Sequence, residues 1–218
     1  MKTVVITGAS RGIGLATARK FLSEGYIVIG TSTTGKIDIE DPNFKAVKLD
    51  ISDSQNIKNA ALEIEDKVDI LINNAGVNEE DWDIVDIDMD VLRKTLEINL
   101  FGLIDFTEHM LSKISPNGQV INLSSRLGSF SQEGGNASDN PSYRISKAAL
   151  NMYTKTLGAR LENKGITVSS VHPGWVKTDM GGDDAPKAPE QAAEDIYKLA
   201  TTEHESGQFW SEGQKYPW

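Results

Sequence analysis

The strongest constraint on this chain is an alternation that starts at its first residues. "KTVVIT" (Lys2–Thr7) is an apolar, β-branched run and reads as a buried strand. A glycine cluster leads from it into "GIGLATARKFLSEG", which has helical spacing and a C-cap signal at Gly25. The unit then recurs. "YIVIGTS" is a second strand, and "FKAVKLD" (Phe44–Asp50) is a third, followed by a helix with Ser52 as its N-cap. "VDILINNAG" supplies a fourth strand and its loop, and a long helix follows over roughly Asp90 to Ile114. "GQVINLSS" is the fifth strand, with another long helix from Ser142 to Asn163. "GITVSSVHPG" is the sixth, stopped by Pro173 and Gly174. A last helix from about Pro189 precedes "GQFWSEG", the seventh strand. Apolar strands that alternate with helices imply a parallel sheet covered on both faces, with right-handed crossovers. The expected fold is therefore α/β, a Rossmann-type doubly wound parallel sheet of about seven strands. At 218 residues, with neither repeat nor low-complexity linker, residues 1–218 read as one domain.

Two segments break the rhythm. "TTGKIDIEDPNFK", between strands two and three, is short and contains Pro42, so a crossover helix there is missing or reduced. "SFSQEGGNASDNPS" (Ser129–Ser142) is a polar, glycine-containing loop after strand five. Loops at the carboxyl ends of strands line the ligand crevice in open α/β sheets.

Composition excludes several functions. There is no cysteine, which removes disulfides, thiolate catalysis and cysteine-ligated zinc, and fits a reducing compartment. A net charge of −10 repels phosphate backbones, so no nucleic-acid partner is expected. No stretch approaches the ~18 apolar residues of a membrane span, and "MKTVVITGAS" lacks a signal core. A soluble, cytoplasmic protein with no membrane partner is expected.

The chemistry concentrates at strand ends. "TGASRGIG" sets Gly8, Gly12 and Gly14, with Ser10, Arg11 and Ile13, between the first strand and first helix. Glycines there permit a tight turn and a close phosphate, and the helix N-terminus offers N–H groups. The spacing G-x-x-x-G-x-G is neither G-x-G-x-x-G nor a Walker loop. Its position still favours a dinucleotide site over an ordinary turn. A free ribose 2′-OH is usually held by an acid near the end of strand two. "GTSTTGK" has no acid there, and offers Ser32, Thr33 and Lys36 to a 2′-phosphate, with Arg11 nearby. NADP(H) is thus favoured over NAD(H). Asp50 and Ile51 in "LDIS", and Asn74, Ala75 and Gly76 in "NNAG", are expected to wall the cofactor. Ser124 and Ser125 end strand five, where only one of them faces the crevice fully. Tyr143 and Lys147 lie four apart, on one helix face. That pair is either surface decoration or a phenol tuned by an ammonium.

The chain resembles the short-chain dehydrogenase/reductase family over nearly its whole length. The matching motifs are "TGASRGIG", "NNAG", "LEINLFG", "INLSS", "YRISK" and "HPGWVKTDM", in the family's order. "GWVKTDM" and "GQFWSEG" are similar to the carbonyl-reductase branch. The resemblance implies a catalytic set of Asn99, Ser125, Tyr143 and Lys147, with Ser125 identified by the Arg126-Leu127-Gly128 that follows it. Tyr143 and Lys147 also meet the cofactor, and Pro173, Gly174, Val176 and Thr178 line its nicotinamide end. The implied reaction is NADPH-dependent reduction of an aldehyde or ketone. In it Tyr143 gives a proton as hydride arrives and Ser125 bonds the same oxygen. Lys147 holds the ribose and, with the oxidised nicotinamide, lowers the Tyr143 pKa, and Asn99 positions a water that refills the proton through Lys147. The partners implied are a small carbonyl substrate and further copies of the chain, as a homodimer or homotetramer through the two long helices.

Two rival functions remain: a 3-oxoacyl thioester reductase, with Lys164 and Arg126 meeting an acidic carrier, and an idle NADP(H)-sensing regulator. The net charge disfavours the first, and the intact set of four disfavours the second. The substrate pocket is expected from Ser129–Ser142, Trp175 and the segment after Thr178, with a small lid in Met180–Glu190. The gap of eighteen residues from Ser125 to Tyr143 exceeds the family's usual one and directs attention to that loop. His109, His172 and His204 share no ligand spacing and read as structural or surface residues, so no metal site is expected. "NEEDWDIVDID" reads as a solvated loop, and Trp210 and Trp218 as core or subunit contacts.

Overall fold

A computed structural model describes residues 1–65, 67–79, 86–131 and 139–218. Among these, eight strands form one sheet in the order β3-β2-β1-β4-β5-β6-β7-β8. The strands are β1 Thr3–Ile6, β2 Ile27–Ser32, β3 Phe44–Lys48, β4 Val68–Asn73, β5 Ile114–Leu123, β6 Thr167–His172, β7 Gln208–Ser211 and β8 Gln214–Lys215. All neighbouring pairs from β1 to β7 are parallel, and β8 returns antiparallel to β7. The chain builds outward from β1 to β3, then crosses back to β4 on the other side of β1. Ligand crevices form at such a reversal, outside the carboxyl ends of β1 and β4.

The helices are α1 Gly12–Ser23, α2 Ser54–Glu63, α3 Met89–Leu96, α4 Leu103–Met110, α5 Pro141–Leu161 and α6 Pro189–Thr201. Side chains alternate across the sheet, which divides the core in two. Val4, Ile6, Ile70 and Ile72 pack with Phe21 of α1 and Ile196 of α6. Val5, Leu71 and Val120 pack on the opposite face with Ile57, Phe106 and Leu157 of α2, α4 and α5. No helix occupies residues 33–43, as the short Pro42 segment predicts. Among the described residues no helix is long and apolar enough to cross a membrane.

Several local expectations shift. The α2 cap is Asp53, whose carboxylate accepts from the N–H groups of Gln55 (2.8 Å) and Asn56 (3.1 Å). Ser52 instead binds the Asp50 carboxylate through both its N–H and its hydroxyl. The helix expected over Asp90–Ile114 is α3 and α4 joined by a π-helical segment, Glu97–Gly102, and Ile114 already belongs to β5. Gly102 passes so close to the Ile51 carbonyl that a Cβ there would lie 1.7 Å from its oxygen. Only glycine lets this segment approach the floor of the crevice.

A buried polar chain ties the two long helical segments to the sheet. Asn73 Nδ2 donates to Thr107 Oγ1 (2.9 Å) and Asn122 Oδ1 (2.8 Å). Asn122 Nδ2 donates to Thr154 Oγ1 (2.9 Å), which lies 2.7 Å from Ser170 Oγ. Thr154 spends its own proton on the Leu150 carbonyl, so Ser170 is the donor in that last contact. The chain links β4, β5 and β6 to α4 and α5 just below the crevice.

Candidate active site

A cavity of about 940 Å³ opens at the carboxyl ends of the strands. The β1–α1 loop forms one end. Gly8 and Gly12 adopt positive φ (66° and 52°), and a Cβ on Gly14 would lie 2.2 Å from the Gly8 carbonyl oxygen. The loop is stitched to β4, because Asn74 Nδ2 donates to the carbonyls of Thr7 (2.8 Å) and Gly8 (3.0 Å). Thr7 Oγ1 accepts from the N–H groups of Asn74 and Ala75 in return. Among the described residues no side chain caps α1, whose N-cap residue is Arg11. Its first-turn N–H groups are left for an anion, which fits the pyrophosphate of a dinucleotide.

Apart from Lys36, the residues expected at the cofactor line this cavity: Ser10, Ile13, Ser32, Thr33, Asp50, Ile51, Ala75 and Gly76 beside those just described, with Pro173, Gly174, Val176 and Thr178. Hydrogen bonds from the Ser52 hydroxyl and N–H hold the Asp50 carboxyl below its ordinary range, so it is a charged acceptor. Arg11 differs from expectation. It pairs at 2.9 Å with Asp179, from the β6–α6 segment, and both side chains are exposed. Lys36 does not line the cavity, and Ser32 donates to its carbonyl rather than meeting its ammonium.

Ser125, Tyr143 and Lys147 line the same cavity. Gly128 brings them together, since a Cβ there would lie 2.6 Å from the Lys147 carbonyl carbon. The tight turn Arg126–Gly128 can therefore lie directly on α5. Ser124 turns inward, with its hydroxyl 3.5 Å from the Lys147 carbonyl. Ser125 Oγ accepts from the Leu127 N–H at 3.2 Å, which leaves its proton to donate. Lys147 Nζ donates to the Leu123 carbonyl at 2.9 Å and sits 5.4 Å from the Tyr143 ring centroid.

The protein's own groups push the Tyr143 phenol up to about 12. Burial outweighs the opposing hydrogen bond with Ser125. Burial also pushes Lys147 down to about 8. The lowering expected from the Lys147 ammonium together with an oxidised nicotinamide does not come from the protein's own groups, because desolvation disfavours both charged forms. The phenol holds its proton at neutral pH.

Asn99 is fully buried and lies off the cavity wall. Its Oδ1 accepts from the Val77 N–H (2.8 Å), and its Nδ2 donates to the Val77 carbonyl (2.8 Å) and Ser146 Oγ (3.1 Å). The side chain is engaged in holding the segment after β4 against α5. Of the expected substrate pocket, Trp175, Met180 and Gly181 line the cavity, with Asp139 and Asn140 just before α5. Residues 132–138 and 80–85, within the two polar loops, lie outside the described residues. Ser129 and Ser131 instead donate to the Pro217 and Trp218 carbonyls, and Trp218 stacks on Phe209. His204 is structural, bonded to Ser169 and Thr202. His172, read from sequence as structural or surface, lines the cavity. Arg126, named from sequence only as a contact for an acidic carrier, does so too, with Arg144 of the "YRISK" motif, which carries no role from sequence.

Comparison with known proteins places this arrangement in a class. A family profile described as short chain dehydrogenase matches residues 2–189. The chain is 32% identical over 210 residues to the serine 3-dehydrogenase of Rhizobium radiobacter, covering 90% of this chain and 80% of that one. It is 32% identical over 189 residues to a 3-oxoacyl-[acyl-carrier-protein] reductase of Salmonella typhimurium, covering 82% and 75%. An NADPH-bound carbonyl reductase from chicken fatty liver superimposes with a TM-score of 0.90 at 27% identity, over 100% of this chain and 99% of that one. The chain belongs to the short-chain dehydrogenase/reductase family of oxidoreductases.

Proposed function

We propose that the protein reduces a small aldehyde or ketone to an alcohol with NADPH, residues 1–218 acting as one catalytic unit. The observation that carries this reading is the convergence of the Ser125 hydroxyl, Tyr143 phenol and Lys147 ammonium on the cavity that the glycine loop opens. The nicotinamide would supply the hydride. The uncapped N-terminus of α1 and the side-chain-free approach at Gly8 and Gly14 suit its pyrophosphate, and Lys147 suits its ribose. Tyr143 retains a proton to deliver to the carbonyl oxygen, since burial pushes it up to about 12. The Ser125 hydroxyl, hydrogen-bonded with the Tyr143 phenol, can turn its proton to the same oxygen as charge develops there. Asn99 acts as a positioning residue, fixing Val77 and Ser146 around Lys147.

NADPH is favoured over NADH because the end of β2 presents Thr31, Ser32, Thr33 and Thr34 to the cavity and no carboxylate. The exposed Arg11–Asp179 pair is a weak one that a 2′-phosphate can displace. Phe101 in the π-helical segment and Ile145 and Met152 on α5 are exposed, which supports assembly as a dimer or tetramer through the long helical segments. Two features disfavour a carrier-bound thioester as substrate. Lys164 follows the far end of α5, about 30 Å along the helix from Tyr143. The net charge of −10 opposes an acidic carrier.

The test is NADPH oxidation against aldehydes, ketones, quinones and acyl thioesters, with Tyr143→Phe as control. Turnover that the variant loses supports the reading. Tight NADPH binding with no turnover of any substrate would assign the protein to cofactor sensing instead.

A further inference from the structure

Beside Ser125 and Tyr143 the cavity carries polar groups that carbonyl reduction does not use. Asn140 immediately precedes α5 in a left-handed conformation (φ 54°, ψ 49°) and is 1% exposed. Its side chain does not cap the helix, and among the described residues neither Oδ1 nor Nδ2 has a hydrogen-bond partner. A buried amide with both ends unpaired is costly unless something else meets it. Asn140 lines the cavity only three residues before Tyr143, so a bound substrate can supply the partner.

His172, at the end of β6, is similar. Its Nδ1 is buried without a partner among the described residues, and the ring lines the cavity. Burial, with the charges of Arg126 and Lys187, holds the imidazole neutral. Arg126 follows Ser125 directly, and its exposed side chain lines the same wall. It makes no hydrogen bond or ion pair among the described residues, whereas the other cations near the cavity are engaged. Arg11 pairs with Asp179, Lys187 with Asp195 and Glu212, and Lys147 with the Leu123 carbonyl. Arg144 donates through Nε to the Asp139 carbonyl at 2.6 Å. A planar guanidinium with no partner, one residue from the group that binds the carbonyl oxygen, matches a carboxylate.

We propose that the carbonyl substrate is a short oxo acid, with a carboxylate a few bonds from the carbonyl held by Arg126 and a further polar group met by the Asn140 amide. This rests on the reductase reading above. It predicts discrimination against neutral ketones of the same size, because those leave Arg126 and Asn140 unanswered. A charge-assisted contact of this kind is worth about 10- to 100-fold in specificity.

The experiment compares matched 2-oxo and 3-oxo acids with their methyl esters, with NADPH, for wild type, Arg126→Gln and Asn140→Ala. The acid should exceed its ester in kcat/KM by about 10- to 100-fold. In Arg126→Gln that ratio should fall to near one, and in Arg126→Lys it should be partly restored. A second readout needs no turnover: protection of the Tyr143→Phe protein against thermal unfolding by the hydroxy acid and by its methyl ester. Protection by the acid alone, lost when Arg126→Gln is added, supports the proposal. Equal or better handling of esters by the wild type overturns it, while their turnover leaves the reductase reading standing. Acid-specific protection with no turnover of any carbonyl would overturn the reductase reading and leave the carboxylate site in place.

Discussion

Lys147 is 4% exposed, and burial pushes its ammonium down to about 8, against an ordinary lysine value near 10.5. Folding must therefore hold a proton on a group that resists it. Below pH 8 the lysine is protonated in both folded and unfolded chains, and the native state bears the full cost, about 3 kcal/mol. Between pH 8 and 10.5 the folded lysine has released its proton while the unfolded one retains it, so stability rises with pH. Above 10.5 the cost is gone. Lys147→Met removes this cost with similar volume, but it leaves the Leu123 carbonyl without its 2.9 Å donor, a loss of about 1 kcal/mol. The variant should be more stable than wild type by about 2 kcal/mol at pH 7. By pH 10.5 it should be less stable by about 1 kcal/mol. Tyr143 does not blur the contrast, since its phenol is pushed up to about 12 and stays protonated through this range. Urea unfolding of both proteins from pH 6 to 10.5, with equal m-values, measures the difference, and carbonyl reduction by the variant should fall by at least about 100-fold. A variant less stable than wild type at pH 7, or a difference that does not vary with pH, would refute the burial argument.

Tyr143→Phe should lower kcat by about a thousandfold while the melting temperature stays within a few degrees, because it removes the proton donor and little packing. In wild type, carbonyl reduction should decline as pH rises through about 8, where Lys147 loses its charge, and a rate that climbs above pH 8 would contradict this assignment. Asp179→Asn releases Arg11, so the KM for NADPH should fall several-fold at low salt and converge with wild type at high salt, as an exposed pair requires. Gly14→Ala sets a Cβ 2.2 Å from the Gly8 carbonyl oxygen and 2.6 Å from Asn74 Nδ2. It should destabilise by about 1–3 kcal/mol and abolish NADPH binding by fluorescence titration.

Much of the fold was legible because its signals are local. β-branched runs and 3.6-residue spacing report burial along one segment at a time, and β1 to β7 appear in the order those patterns give, with β5 starting earlier, at Ile114. Pro42 and the short segment around it were enough to remove a helix. The cofactor residues were legible for the same reason, since glycines at a strand–helix junction and polar groups at strand ends mark a crevice. What failed depended on a distant neighbour. Nothing near Gly102 in the chain announces Ile51, whose carbonyl it must pass. Ser52 and Asp53 are both good caps, and Asp50 decides between them by taking the Ser52 hydroxyl.

The sequence by itself determined the order of strands and helices, the glycine loop and the helix face shared by Tyr143 and Lys147. All of these follow from backbone propensity and periodicity within a few residues. Tertiary structure alone decided which way the chemistry leans. Burial raised the Tyr143 phenol and lowered the Lys147 ammonium, where proximity suggested a lowered phenol. Packing turned Asn99 onto Val77, drew Arg11 across the cavity to Asp179, and left polar atoms of Asn140, His172 and Arg126 on the cavity wall without partners among the described residues. Desolvation and hydrogen-bond satisfaction depend on everything within a few ångströms, and most of that comes from remote parts of the chain.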